Sequence, residues 1–353
     1  MPRKKKILFI CGSINQTTQM HQIARELPEY EHFYTPYYGN LDYHFVRALG
    51  LLEFTIGGHR LRERCLQYLR AHDLPVDLDG ARGGYDLAFH CSDLVWPNNI
   101  SNGPVILVQE GMTDPPSVLY PIVKRVDALP RWMAGTSATG LSHKYTKFCV
   151  ASAGYADLFA SRGVDRDKLV VTGIPNFDNC GRFRQNDFPY RDFVLCCTSD
   201  VREVYWYEDR RAFIEKARRI AAGRQLIFKL HPNEKLPRAT DEIVRWAPEA
   251  LVYTSGCAEE MVANCAELVV KYSSLAHVGL ALGKKVHSHF DLEELRRLVP
   301  LQHGRAARHI ADVARDLLGD APRVRVVDGG KPAAAHAPQV RTRQEDREEA
   351  LVA

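Results

Sequence analysis

Apolar residues in this chain fall in short, nearly unbroken runs, separated by stretches whose apolar positions recur at helical spacing. The first run, residues 6–11 (KILFIC), shows no polar alternation and ends at Gly12. Such a run suits a parallel strand buried on both faces. Comparable runs predict strands at 85–90, 104–109, 147–151 and 168–172. Between them, helical periodicity leads up to Leu27 after a polar loop at 13–18, then covers 42–72, 115–126 and 154–161. Residues 176–192 (NFDNCGRFRQNDFPYRD) lose the period and gain Gly, Pro and polar residues, as a linker does.

A second alternation follows the linker. It predicts strands at 193–197, 225–230, 250–253, 267–270 and 285–289. The helices expected with them lie at 210–222, 241–246, 258–264, 275–282, 292–298 and 310–318. Strands alternating with helices in both halves predict an α/β protein of two Rossmann-like, doubly wound parallel sheets facing a cleft. The expected division is an acceptor-side domain at 1–180 and a donor-binding domain at 190–320. An Ala- and charge-rich tail at 329–353 without an apolar face is expected to be disordered. Ligands of such sheets sit beyond the strand carboxyl ends, which is where candidate chemistry is sought.

Composition narrows the partners. The 353 residues are 45% hydrophobic and 25% charged with a net charge of +4, ordinary for a soluble globular protein. The basic residues are dispersed, so no nucleic-acid partner is expected. Nine cysteines, an odd number with no Cys-x-x-Cys pair, read as reduced buried thiols and a cytoplasmic setting. The apolar run after Arg3-Lys4-Lys5-Lys6 is too short for a signal peptide, and no stretch approaches the ~20 residues of a spanning helix. Peripheral contact at the cytoplasmic face of a membrane stays open. The histidines lack metal-site spacing, and Asp77-Leu78-Asp79 lies in a Gly- and Pro-flanked stretch that reads as a solvated turn. No metal is expected.

Four segments place reactive residues at predicted strand ends. Strand 225–230 runs into His231-Pro232-Asn233-Glu234 and carries Lys229. A histidine there can hydrogen-bond or protonate a phosphate oxygen, or be an ordinary loop residue. Strand 267–270 runs into Ser273-Ser274 and a short apolar helix. Two hydroxyls at a helix start can seat a phosphate, or one can simply cap the helix. Strand 104–109 ends in Gln109-Glu110-Gly111, where Glu110 can accept a proton from an attacking hydroxyl. The loop Gly12-Ser13-Ile14-Asn15-Gln16-Thr17-Thr18 suits an acceptor or phosphate contact, with capping by Thr17 or Thr18 the alternative. Thr198-Ser199-Asp200 holds the matching place in the second half, and Gly173-Ile174-Pro175 forms a turn at the domain junction.

His-Pro, Ser-Ser and a Leu-Gly-Lys helix end together resemble the donor domain of GT-B-fold bacterial capsule and polysaccharide transferases. These are the polysialyltransferase, capsular Kdo transferase and CDP-glycerol glycerophosphotransferase families. The resemblance implies that His231, Pro232, Ser273 and Ser274 contact the nucleotide. Gln109-Glu110-Gly111 resembles the acidic-acidic-Gly base motif of the sialyltransferase-like families, with Gln in the first place. Lys271 stands where the glycerophosphotransferases carry an acidic residue.

The implied activity is a metal-independent, inverting glycosyltransferase. It would take a CMP-, CDP- or UDP-linked sugar to a glycan or lipid-linked acceptor, with no cofactor. Glu110 and His231 would be catalytic, with Lys229, Thr198 and Ser199 on the donor side. Gly12, Ser13, Asn15, Thr17, Gln109, Gly111, Gly173 and Pro175 would line the acceptor or interdomain side. The alternatives are a UDP-N-acetylglucosamine 2-epimerase-like enzyme, a glycerophosphotransferase and a non-catalytic nucleotide-binding partner.

Overall fold

A computed structural model describes residues 3–320 apart from 51, 53–55, 112, 114–119, 127–137, 204–206 and 272. The tail expected at 329–353 lies outside the described residues.

Two wholly parallel sheets carry the chain. The first orders its strands β2-β1-β3-β4-β5-β6, with β1 at Lys6–Ile10, β2 at Glu31–Thr35, β3 at Leu87–His90, β4 at Val105–Val108, β5 at Lys147–Val150 and β6 at Leu169–Val171. The second orders them β11-β10-β7-β8-β9, with β7 at Val194–Cys197, β8 at Leu226–Lys229, β9 at Leu251–Tyr253, β10 at Glu267–Val269 and β11 at Lys285–His287. Successive residues of β1 explain why its run is continuous. Ile7 and Phe9 join one buried cluster, Leu8 and Ile10 another on the opposite face. In each sheet the strand order reverses beside the first strand, β1 next to β3 and β7 next to β10. Each reversal opens a crevice at the carboxyl edge.

Helix α1 (Ile14–Arg25) packs on the first sheet, as do α4 (Tyr120–Arg125) and α5 (Ala153–Ser161). The segment at 42–72, expected as one helix, is two: α2 (Leu41–Ala48) and α3 (His59–Ala71). Gly50 follows α2 at φ +73, a conformation that ends a helix and that L side chains resist. Gly58 then caps α3 in extended conformation. Helices α6 (Arg210–Ala221) and α7 (Leu236–Trp246) cover one face of the second sheet through Phe213, Ile214, Ala239 and Ile243. Helix α7 begins several residues before the expected 241–246, with Pro237 in its first turn. Helices α8 (Ala258–Asn264) and α9 (Leu275–Ala281) cover the other face.

After α10 (Leu292–Leu298) the chain returns to the first sheet. Helix α11 (Ala306–Leu318) falls in the span expected to belong to the second domain, yet its Ile310, Ala311 and Ala314 pack with β1 and α1. The crossing at 176–192 is not slack. Asp178, 4% exposed, accepts from the backbone N–H of Gly304 at 2.6 Å and of Ala306 at 2.7 Å. Asp77 also departs from expectation. It is buried, accepting from the Arg82 N–H at 3.1 Å and from the Tyr85 hydroxyl, so its turn is a packed one.

Eight cysteines are buried and Cys257 is exposed, all as free thiols. Among the described residues no helix is long and apolar enough to cross a membrane, and no group of three His, Cys, Asp or Glu converges as metal ligands.

Candidate functional site

At the carboxyl edge of the first sheet the chain leaves β1 through Gly12 and caps α1 with Ser13, whose hydroxyl accepts from the Gln16 N–H at 3.2 Å. The cap is therefore Ser13, not Thr17 or Thr18. The same Ser13 hydroxyl donates to Glu110 Oε1 at 2.6 Å, and Gln16 Nε2 donates to Oε2 at 2.6 Å. Gly12 makes the room: a Cβ there would meet Gln16 Oε1 at 1.9 Å. Desolvation pushes the Glu110 carboxyl up, against the lowering pull of the Ser13 and Gln16 donors. Both donors are neutral. Glu110 thus has oriented oxygens without a paired cation among the described residues.

Gln109 is a strut rather than a free amide. Its Nε2 donates to the Gly111 carbonyl at 2.7 Å, and its Oε1 accepts from the Ala151 N–H at 2.9 Å. Thr17 is fully buried with its hydroxyl on the Ser13 carbonyl at 2.8 Å. The Asn15 carbonyl accepts from Asn176 Nδ2 at 2.7 Å, tying this loop to the residue after Pro175. Gly173 packs against Ala306, which a Cβ would approach to 3.1 Å.

The second edge is built on charge. Glu234, almost fully buried, accepts from Arg210 Nη2 at 2.6 Å and from the Thr198 hydroxyl. Its Oε2 also takes the His231 N–H at 3.2 Å. Arg210 pairs in turn with buried Glu208 at 2.6 Å, and Arg202 joins the set through Glu242 at 2.8 Å. This network fixes the backbone from which His231 projects. The His231 Nδ1 accepts from the Asn233 N–H at 3.2 Å, which assigns the ring proton to Nε2. Burial lowers the affinity of the ring for a second proton, with Asp200, 3.6 Å from Nδ1, pulling the other way. The neutral ring is a donor through Nε2. Lys229 turns inward, its ammonium on the Leu230 carbonyl at 2.9 Å. The Ser199 hydroxyl is buried without a hydrogen-bond partner among the described residues.

At the end of β10 the Ser273 hydroxyl accepts from the Leu275 N–H at 3.3 Å. Ser274 occupies the cap position of α9 but makes no capping bond with its side chain, which leaves that hydroxyl free for another partner. Helix α9 docks on the first half through His277, whose Nε2 lies 3.1 Å from the Tyr155 hydroxyl of α5. Burial pushes His277 down to about 4. Beside β10 a groove of about 340 Å³ is lined by Tyr207, Phe213, Lys216, Val270, Lys271 and His289.

Two contacts bring the edges together. A Cβ on Gly111 would lie 3.8 Å from the Ser274 Cβ, so Gly111, next to Glu110, packs against Ser274. From α3, Arg60 Nη2 reaches the Pro232 carbonyl at 3.5 Å. Glu110, Ser13, Gly111 and Ser274 therefore share one neighbourhood, and the His231-Pro232 loop meets the first half at Arg60. Lys229, Thr198, Thr17 and Gln109 lie beneath it as supports. Sequence reasoning placed Gln16 within the candidate loop at 12–18 but not as a partner of Glu110, and assigned no role to Arg60, Arg210 or Glu234. The one available signal was Glu234, three residues after His231 on the same turn.

Two doubly wound parallel sheets joined at this cleft, with the last helix returning to the first sheet, define the GT-B type of α/β fold. No family model matches the sequence, and no curated protein matches it. Solved structures do. Staphylococcus aureus MnaA in complex with UDP is 12% identical, with 90% of this chain and 99% of that chain aligned at a TM-score of 0.58. The UDP-GlcNAc 2-epimerase from Neisseria meningitidis bound to UDP-GlcNAc is 12% identical, over 88% and 100% of the two chains, TM-score 0.56. The wall teichoic acid polymerase TagF is 10% identical over 90% of each, TM-score 0.51. At such identities the likeness is one of fold.

Proposed function

We propose that this chain is an inverting glycosyltransferase that transfers a sugar from a nucleotide-activated donor, without a metal, to a glycan or lipid-linked acceptor in surface polysaccharide or glycoconjugate synthesis. The observation that carries this reading is Glu110, a carboxylate held by Ser13 and Gln16 with no cation partner among the described residues, whose chain neighbour Gly111 lies against Ser274. A general base must be free to take a proton near working pH, and desolvation moves Glu110 in that direction. The acceptor hydroxyl gives its proton to Glu110 while its oxygen bonds the anomeric carbon. The bond from that carbon to the donor phosphate oxygen breaks, and the nucleotide leaves with the electron pair. The Nε2–H of His231 and the hydroxyl of Ser274 then stabilise charge as it develops on the phosphate.

Epimerisation at a sugar C2 asks for more than one mobile carboxylate, and Asp93, just past β3 of the same sheet, is not free. It is buried and accepts from the Thr139 N–H at 2.6 Å, the Thr139 hydroxyl at 2.8 Å and the Ser142 N–H at 3.1 Å. A thermal-shift panel of CMP, CDP, UDP and GDP tests the donor site, because a ligand of the native state must raise its stability. One nucleotide is expected to raise the Tm of the wild type and to lose most of that effect in His231→Ala. No response to any nucleotide would sink the proposal. Release of N-acetylmannosamine from UDP-N-acetylglucosamine without acceptor would move the assignment to an epimerase.

A further inference from the structure

We propose that Arg60 is a ligand for the donor's phosphates and that it fits the site to a nucleoside diphosphate rather than a monophosphate; this rests on the donor-site reading above. Arg60 stands in the first turn of α3, between the two reactive edges. On one side, the chain leading into α3 packs on the Glu110 cluster, where a Cβ on Gly12 would lie 3.7 Å from Ile56 Cβ. On the other, the Arg60 guanidinium reaches the loop of His231 at the Pro232 carbonyl.

That guanidinium is weakly engaged. It is exposed, its one hydrogen bond is long at 3.5 Å, and no carboxylate among the described residues pairs with it. Its neighbour Arg62 differs, lying 3.6 Å from Asp79. A cation left on a carbonyl at a cleft is placed to exchange that carbonyl for a stronger acceptor, and a planar guanidinium matches phosphate oxygens two at a time.

Charge balance gives the specificity. The three groups assigned to the donor phosphate from the second sheet are neutral: His231 holds one ring proton, with the Asp200 carboxylate 3.6 Å from its Nδ1, and Ser273 and Ser274 are hydroxyls. The ammonium of Lys229 is turned onto the Leu230 carbonyl. Neutral donors can hold one phosphate. A diphosphate leaving group carries added negative charge that they do not offset, and Arg60 supplies the missing cation from the opposite wall.

The test is calorimetric binding of UDP and CDP, each against its monophosphate, to wild type, Arg60→Ala, Arg60→Lys and His231→Ala. In Arg60→Ala the diphosphate should lose about tenfold in affinity, the scale of one charge-assisted bond, while the monophosphate changes less than about twofold. Arg60→Lys should fall between, because charge is kept and the planar fork lost. Equal weakening of both nucleotides in Arg60→Ala, no weakening at all, or tighter binding of the monophosphate by wild type overturns the proposal. If His231→Ala still loses nucleotide binding in those cases, the donor-site reading stands without Arg60. If no nucleotide binds wild type, both fall.

Discussion

At the edge of the first sheet, Glu110 is met by two neutral donors, Ser13 and Gln16, each at 2.6 Å. At the edge of the second, Glu234 is met by Arg210 at the same distance, with Glu208, Arg202 and Glu242 behind it. Both carboxylates are oriented by hydrogen bonds, but among the described residues only Glu234 of the two has a cation partner. A carboxylate paired with a guanidinium is committed to that partner, whereas desolvation favours the protonated form of Glu110, which is held by an alcohol and an amide. The contrast separates a group placed to react from a group placed to hold another residue still. His231 is the beneficiary of the second arrangement, since its N–H rests on Glu234.

The sharpest way to break this contrast is Arg210→Ala. It leaves Glu208 and Glu234 buried with only Arg202, at 3.7 and 4.0 Å, to balance them, and about 3–5 kcal/mol of stability should be lost. Urea unfolding checks this, and a loss within 1 kcal/mol would deny the network its structural role. Glu110→Gln should do the reverse. Stability should hold to within about 1 kcal/mol, while transfer falls about 10²- to 10⁴-fold, measured as turnover on the donor that the nucleotide panel selects.

Ser13→Ala sharpens the contrast with a smaller effect. It removes the cap of α1, costing about 1 kcal/mol, and one of the two donors that hold Glu110 down. The Glu110 carboxyl should then rise further, and a base works only when ionised. The acid limb of the pH–rate profile must therefore move to higher pH. A limb that stays in place would show that Glu110 is not the group it reports.

The sequence made the strand ends legible because their runs are buried on both faces. KILFIC, VILV and LIFK carry little polar interruption, and each delivers its next polar residues to the site. The strand at 31–35 escaped, since EHFYT has a half-buried start and its apolar residues cluster rather than alternate. The break between α2 and α3 escaped because helical spacing resumes in phase enough to bridge Gly50, Gly57 and Gly58. His231 and Ser274 were visible as the residues that follow strands. Arg210 and Glu234 become partners only when α6 lies beside the end of β8, which no local pattern encodes. Arg60 was one basic residue among several on α3 until the fold set it against Pro232.

The two passages of the chain between the sheets are laced at a single place. Asp178, on the outward passage, binds Gly304 and Ala306 on the return, and Gln302 binds the Cys180 N–H and the Phe177 carbonyl at 2.9 and 2.7 Å. Mechanically this is a pivot rather than a pair of tethers. Sliding one sheet past the other would shear every one of these bonds, whereas turning about Asp178 leaves them in place. The lacing is backed by a second tie, since helix α9 holds the first half through His277 and Tyr155 at 3.1 Å.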